Sequence, residues 1–428
     1  MKKTQNKNLL IRKVLRDVLE RIKPEASVKR GCLKVLASVR TALKKSRLDA
    51  DAILGGSVAK GTFLKDNYDC DIFVRFDRKK YEGKDISELL KKALSGFKLE
   101  RIKGSRDYFQ FEMQGIHFEI VPVIRISKPE DAVNVIDVSP LHIKWVKNKI
   151  SKKPKLAEEA MLTRAFCKGI GVYGAESFIR GFSGHVLDIL TIHYGGFLKL
   201  LKASKKWKEQ TVIDPENYHK GMALLNLNAS KREGPLVLID PVQPDRNAAA
   251  ALSYEKFRTF KKKAQEFLEE PSLSFFFPKK IVLKPSESVL LIEAEPVEGN
   301  VDRAGCKLLK ALEFIRKGLE QNYFKVEKAE LHWEKMGNAI FEFKISNQSI
   351  MEAALGRPVL RRGPPAELKK HADEFRKKHG DCYEKDGFVW ARIERKYSSF
   401  VECAEHLIDK LYLQDKARGF RILNKEKN

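Results

Sequence analysis

Ala52-Ile-Leu-Gly-Gly-Ser-Val-Ala-Lys-Gly-Thr62, with Asp69-Cys-Asp-Ile-Phe-Val74 just after it, sets the reading of the rest of the chain. Ile53 and Leu54 read as a buried strand, and Gly55-Gly56-Ser57 as a tight turn into a helix that carries Lys60. A glycine turn before a helix exposes backbone N–H groups beside an electropositive terminus, which suits phosphate oxygens. Gly56 brings the backbone close, Ser57 adds a hydroxyl and Lys60 a charge. Asp69 and Asp71 stand at i and i+2 of a strand, so their carboxylates share one face while Cys70 and Ile72 point inward. Two carboxylates on a rigid strand suit Mg2+, which prefers hard oxygen ligands and keeps substrate phosphates and water as the rest. A third acid completes a site for two ions that clamp the attacking and leaving oxygens of an in-line displacement. Glu119 is the candidate. It lies in His117-Phe-Glu-Ile-Val-Pro122, the second strand of a hairpin begun by residues 108–113 and turned at Gln114-Gly115. Phe118 and Ile120 face inward there, which leaves Glu119 to join the aspartates.

Asp-x-Asp alone is more often a solvated strand face, and Gly-Gly-Ser alone is equally weak. The two together, joined by a short helix and followed by a third acid on a later strand, favour chemistry. Other candidates have bland readings on pattern alone. His142 reads as a half-buried structural histidine, Tyr173 as a core aromatic and Arg246 as a solvated loop residue. His185 and His193 lie within one apolar helical stretch, too far apart for a shared metal pair on a helix, and read as structural.

Lys and Arg total 83 against 57 Asp and Glu, a net charge of +26 over 428 residues. That surplus favours an extended polyanionic partner. Lys147-Asn-Lys-Ile-Ser-Lys-Lys-Pro-Lys155 and Lys202-Ala-Ser-Lys-Lys-Trp-Lys208 are basic runs that could track phosphates, as could Arg361-Arg362 and Lys369-Lys370. The six cysteines are scattered, which argues against a zinc module and a disulfide framework. The start is basic and leads into charged helical sequence rather than a signal peptide, and no apolar run is long enough to span a bilayer. A cytoplasmic protein with no membrane association is expected.

At this length two to four domains are expected. Apolar residues at helical spacing (Leu9, Leu10, Val14, Leu15, Val18, Leu19, Ile22) predict a first helix, and residues 33–43 a second. Strands and turns dominate 52–125. Residues 141–268 read as mainly helical, with a short strand at 236–239, and Pro271 to Lys280 breaks the pattern. A strand at 289–294, a helix at 301–319 and strands at 326–332 and 339–345 follow. This β-α-β-β order suits a ferredoxin-like or RNA-recognition-like sandwich. A Pro-rich break at Arg361-Arg362-Gly363-Pro364-Pro365, a charged helix at 366–378, a hairpin turning at Asp386-Gly387 and a final helix at 400–413 complete the reading. The expected class is therefore α+β and multidomain: a mixed-sheet head (1–145), a helical central domain (146–280) and a C-terminal body with an inserted tail (281–428).

The glycine-serine turn and acidic triad resemble those of the DNA polymerase β nucleotidyltransferase superfamily. Ser139-Pro-Leu-His-Ile-Lys-Trp145, Gly171-Val-Tyr-Gly-Ala-Glu176, Arg180-Gly-Phe-Ser-Gly184, Asp240-Pro-Val, Arg246-Asn-Ala and Pro271-Ser-Leu-Ser-Phe-Phe276 narrow the likeness to the archaeal, class I CCA-adding enzymes. The resemblance covers most of the chain from Ile53 to Pro278. It is looser beyond, resting on Gly363-Pro364 and the Asp386-Gly387 hairpin. It implies addition of C, C and A to a tRNA 3′ end from CTP and ATP without a nucleic-acid template, with two Mg2+ per site. It also implies a head, neck, body and tail architecture, and leaves a homodimer open. By position, Asp69, Asp71 and Glu119 match the metal-binding acids, and Ser57 and Lys60 match residues that hold the triphosphate. His142, Arg164 and Tyr173 match others lining the nucleotide pocket, and Arg246 an arginine that helps choose between C and A. Three positions depart from the family pattern. Glu119 stands where Asp is typical, Lys60 where arginine is usual, and Arg164 where lysine is frequent; none removes a charge or a ligand atom. The neighbouring alternatives are a poly(A) polymerase-like or oligoadenylate synthetase-like enzyme, or a non-catalytic tRNA-binding protein.

Overall fold

The computed structural model describes residues 2–65, 68–278, 282–335, 337–346, 365–379, 381–385, 388–391 and 396–424. They fall into two compact units, Met1–Lys280 and Ile281–Asn428. The first opens with helices α1 (Lys2–Ile22) and α2 (Ala26–Lys45), strand β1 (Ala50–Leu54) and the single turn α3 (Gly56–Lys60). Strand β2 (Asp69–Phe76), helices α4 (Arg78–Tyr81) and α5 (Ile86–Ala93), and strands β3 (Glu100–Ile102), β4 (Tyr108–Met113) and β5 (Ile116–Ile124) follow. The five strands make one sheet in the order β1-β2-β5-β4-β3. β2 runs parallel to β5 and the other neighbours are antiparallel. Gln114 and Gly115, with φ of 53° and 71°, make the tight β4–β5 turn in the left-handed conformation that matches strand twist.

Alternation along β2 sorts its side chains. Cys70, Ile72, Val74 and Phe76 are fully buried and pack with Val35, Val39 and Leu43 of α2. Asp69, Asp71 and Arg75 project from the other face, where Phe73, Val121 and Val123 meet Ile143. Ile53 and Leu54 are only half-buried, against the expectation of a buried strand. β1 is an edge strand, and its open side is met by Arg40, whose Nε donates to the Ala52 carbonyl at 2.9 Å.

The helical part of this unit comprises α6 (Ser139–Lys152), α7 (Lys155–Gly169), α8 (Gly184–Tyr194), α9 (Phe197–Ser204), the short α10 (Ala223–Asn226) and α11 (Ala229–Arg232), and α12 (Tyr254–Glu269). Strands β6 (Thr211–Ile213) and β7 (Leu236–Leu238) pair in parallel among them. Phe166 of α7 sits at the centre of an aromatic core, with the rings of Phe197, Phe267 and Phe276 at 5.5, 5.8 and 5.7 Å. Each such ring contributes about 1.5–3 kcal/mol by its burial, and favourable pairs about 0.5–1.5 kcal/mol more. Trp207, embedded in the basic run at 202–208, is buried and stacks on Phe257 and Phe260 at 5.9 and 5.7 Å. Helix α1, expected with the head, buries Val14, Val18 and Ile22 in the core of α7 and α8 instead. Lys23 adds an ion pair to Glu158 at 2.7 Å.

The second unit holds β8 (Val289–Pro296), α13 (Val301–Gln321), β9 (Val326–His332), β10 (Ala339–Ile345), α14 (Pro365–His379), the hairpin strands β11 (Cys382–Lys385) and β12 (Phe388–Ala391), α15 (Phe400–Ile408) and β13 (Ala417–Ile422). Its antiparallel sheet has the order β13-β8-β10-β9. Leu308, Leu312, Ile315 and Leu319 of α13 and Cys403 and Leu407 of α15 pack against Ile292, Phe341 and Phe343. The expected final helix at 400–413 stops at Ile408, and β13, which was not expected, follows. Arg418 and Arg421 disguise this edge strand: they pair with Glu295, Glu298 and Glu293 rather than entering a core. Arg361, Arg362, Gly363-Pro364 and the Asp386-Gly387 turn lie outside the described residues. All six cysteines are free thiols. No helix among the described residues is long and apolar enough to cross a membrane.

Candidate active site

The parallel pairing of β2 with β5 puts Asp71 directly beside Glu119, and Asp69 beside His117. Adjacent strands are about 4.8 Å apart, so three carboxyl groups crowd one patch of the sheet. Gln110 on β4 lies across from Glu119 and donates from Nε2 to its Oε1 at 2.6 Å, fixing the longer side chain. The glycine turn meets the acids from the side. The Gly55 N–H donates to the Asp71 carbonyl at 2.6 Å. Gly56 has φ of +52°, and a Cβ there would stand 1.7 Å from Asp71 Oδ2. Only glycine gives both the conformation and the clearance.

Burial pushes the Asp71 carboxyl up to about 7, with Glu119 and Asp69 adding repulsion and Lys60 opposing it. Glu119 is raised too, first by burial, against the Gln110 hydrogen bond and the His117 charge. Carboxylates that repel one another in a partly dry patch are relieved by a cation, and this all-oxygen donor set fits a hard divalent ion.

A cavity of about 580 Å3 opens beside the acids, and Gly56, Lys60, Asp71, His142, His185 and Arg246 are among the residues lining it. Lys60 extends from α3 to Asp188 of α8, Nζ to Oδ2 at 2.7 Å, with side-chain exposures of 8% and 0%. Arg164 of α7 grips the same carboxylate, from Nη2 to Oδ1 and Oδ2 at 2.7 and 2.8 Å. Its Nη1 donates to the Tyr173 hydroxyl at 3.3 Å. Arg164 and Tyr173 therefore stand behind the cavity wall, where they fix Asp188 and through it Lys60.

Asp240 organises the other wall. Fully buried, it accepts from His142 Nε2 at 3.0 Å, from Arg246 Nη1 at 2.7 Å, and from the backbone N–H groups of Val242 and Gln243. Burial pushes the Asp240 carboxyl up, but the close polar contacts and charges of His142 and His185 outweigh it and hold Asp240 far below the usual carboxylate range. The His142 ring lies 4.4 Å from that of His185. Burial holds His185 down to about 4, partly offset by Asp240, so it is neutral at physiological pH.

Family profiles match the chain in succession: a nucleotidyltransferase domain over residues 36–154, the second domain of tRNA nucleotidyltransferase over 158–277, and the C-terminal domain of CCA-adding enzyme over 300–425. The CCA-adding enzyme of Nanoarchaeum equitans is 34% identical over 375 residues, covering 86% of this chain and 90% of that one. The CCA-adding enzyme of Saccharolobus shibatae is 31% identical over 391 residues, covering 89% and 88%. This chain belongs to the CCA-adding enzyme family. A third relative, the CCA-adding enzyme of Methanocaldococcus jannaschii, is 29% identical over 419 residues, covering 94% of this chain and 91% of its own. The chain is accordingly a nucleotidyltransferase with a polymerase β-like fold of mixed α and β content.

Of the residues singled out in the sequence, Gly56, Lys60, Asp71, His142 and Arg246 surround one cavity of this family member. Asp69 and Glu119 share the sheet face with Asp71, and Ser57 follows Gly56 in α3. Arg164 and Tyr173 are one layer back. Asp188, Asp240, His185 and Gln110 were not anticipated as parts of the site. Asp188 is the one acid in a largely apolar helix, α8. A carboxyl three residues after His185, in a stretch otherwise rich in Leu and Ile, was the available signal.

Proposed function

We propose that this chain adds C, C and A to the 3′ end of tRNA from CTP and ATP, without a nucleic-acid template. The observation that carries the reading is the junction of Gly56, Asp71 and Glu119: a glycine turn pressed against paired acids beside a cavity with cationic walls. Asp69, Asp71 and Glu119 would hold Mg2+, with two ions the expectation. An ion held there would supply charge neutralisation for the triphosphate and would lower the pKa of the attacking hydroxyl. The chain's own side chains position the reactants. Gly56 and Ser57 offer backbone and hydroxyl donors to the triphosphate, Lys60 a charge oriented by Asp188, and His142 and Arg246 polar groups oriented by Asp240. Catalysis here is mainly positioning and charge neutralisation.

We read residues 1–145 and 146–280 as catalytic head and base-pocket domain, with α1 given to the latter. The order β13-β8-β10-β9, with helices after β8 and before β13, supports a ferredoxin-like body in the second unit, and α14 with the β11–β12 hairpin its inserted tail. That unit is proposed to grip tRNA, with Arg361, Arg362 and the exposed Lys369 and Lys370 as candidate backbone contacts. In the first unit a second cavity, of about 1290 Å3, shares Lys60 with the site and is rimmed by Arg40, Arg125, Lys144 and Lys147, in keeping with a polyanionic substrate.

The test is extension of a tRNA lacking its terminal CCA, with Mg2+ and labelled CTP or ATP supplied singly and together. Two C additions from CTP alone, then one A once ATP is present, are expected. An unbounded or A-only product would overturn the substrate assignment, and absence of transfer despite tight tRNA binding would overturn the catalytic one.

A further inference from the structure

The wall opposite the acids contains a second set of ligand-type atoms. His142, His185 and Asp240 each offer one, and these atoms lie within 4.8 Å of one another. Asp240 is 3.0 Å from His142 Nε2 through one oxygen and 3.6 Å from His185 Nε2 through the other. In a tetrahedral zinc site with bonds of about 2.0–2.2 Å, neighbouring ligand atoms are roughly 3.3 Å apart. The observed spacings therefore bracket what one small ion needs.

His185 supplies the independent observation. Both of its ring nitrogens are enclosed, and neither has a hydrogen-bond partner. A buried imidazole with neither nitrogen hydrogen-bonded, and an Asp240 oxygen 3.6 Å from one of them, is costly unless something binds it. The ring also lines a cavity that a solute can enter. Asp240 is already oriented by the Val242 and Gln243 N–H groups, the outer support that metal-ligating carboxylates carry.

We propose that His142, His185 and Asp240 form a second cation site, selective for a borderline divalent ion of the Zn2+ type rather than Mg2+. Two imidazoles and one carboxylate suit Zn2+, whereas Mg2+ takes oxygen ligands. Three protein ligands leave one position for water or a phosphate oxygen. Occupancy takes Asp240 Oδ2 from Arg246, whose half-exposed side chain is free to turn to solvent, and takes the His142 edge now hydrogen-bonded to Asp240. Zn2+ therefore acts as an inhibitor that competes with nucleotide and that added Mg2+ does not relieve. None of these ligands is shared with Asp69, Asp71 or Glu119, so the site stands or falls apart from the catalytic assignment.

The test is calorimetric titration of the full chain with Zn2+ under excess Mg2+, on wild type, H185F, H142Q and D71N. Phe keeps the ring packing against His142 and removes both nitrogens. Wild type and D71N should bind a zinc equivalent that H185F and H142Q weaken at least about tenfold, since loss of even an outer-shell partner commonly costs 10–100-fold. Co2+ bound to wild type should show the visible absorption of a four-coordinate nitrogen and oxygen site, lost in H185F. Zinc binding unchanged in folded H185F and H142Q, or lost in D71N, would overturn the proposal.

Discussion

Asp188 is one anion serving two cations, and replacing it with alanine tests how much the buried network matters. Arg164 and Asp188 have side-chain exposures of 6% and 0%, and Lys60 of 8%. Breaking a buried ion pair by deleting one partner costs about 3–5 kcal/mol, because the remaining charge stays buried and uncompensated. Arg164 takes that full cost. Lys60 borders the cavity and can turn toward solvent, so its share is smaller. D188A should lower the stability of the first unit by about 3–5 kcal/mol. At about 2–4 °C per kcal/mol, the calorimetric transition should fall by roughly 6–20 °C. R164M in the D188A background removes the orphaned charge, and much of the loss should return, since apolar replacement of a buried pair is often nearly neutral. The four proteins form a double-mutant cycle with a coupling of at least about 2 kcal/mol. A D188A loss below about 1 kcal/mol, or a double mutant equal to the sum of the singles, would refute the reasoning.

Other outcomes follow from the same geometry. Asp71 is raised to about 7 in the fold from an ordinary value of 3.8, so its ionisation costs metal-free stability as pH climbs through that interval. D71N should abolish transfer yet stabilise the metal-free protein at pH 8, the gain shrinking as pH falls toward 4; denaturant unfolding across that range checks it. G56A should lower transfer at least about 100-fold with circular dichroism unchanged, because the new methyl lands on Asp71 Oδ2 and displaces a group that must be held to a fraction of an ångström. Gln110→Leu should raise the Mg2+ concentration for half-maximal transfer about 10–100-fold, read by Mg2+ titration of the extension assay, with kcat at saturating Mg2+ less affected.

The part of the site legible in the sequence is the part built from local rules. Period-two alternation puts Asp69 and Asp71 on one face of their strand, and the Gln114-Gly115 turn fixes the register that sets Gln110 across from Glu119. Asp188 meets Lys60 across 128 residues, and Asp240 meets His142 across 98. No spacing rule reaches that far. His185 meets the ring of His142 on α6, a neighbour that spacing along its own helix does not show. Amphipathic spacing showed that α1 has a buried face but could not say against what. β13 went unread because Arg418 and Arg421 break the apolar pattern by which a strand is recognised.

That first helix has a consequence for how the chain is made. Val18 finds its neighbours in the layer around Phe166, nearly 150 residues later. At about 5–20 residues per second, synthesis leaves the apolar stripe of α1 without its native cover for roughly 7–30 s. The acid-bearing sheet is completed in that interval, so it assembles between the two halves of a core that cannot yet close. A nascent chain stalled near residue 150 should then hold a finished catalytic sheet tethered to an exposed, greasy leader, the stage at which this protein would most need a chaperone.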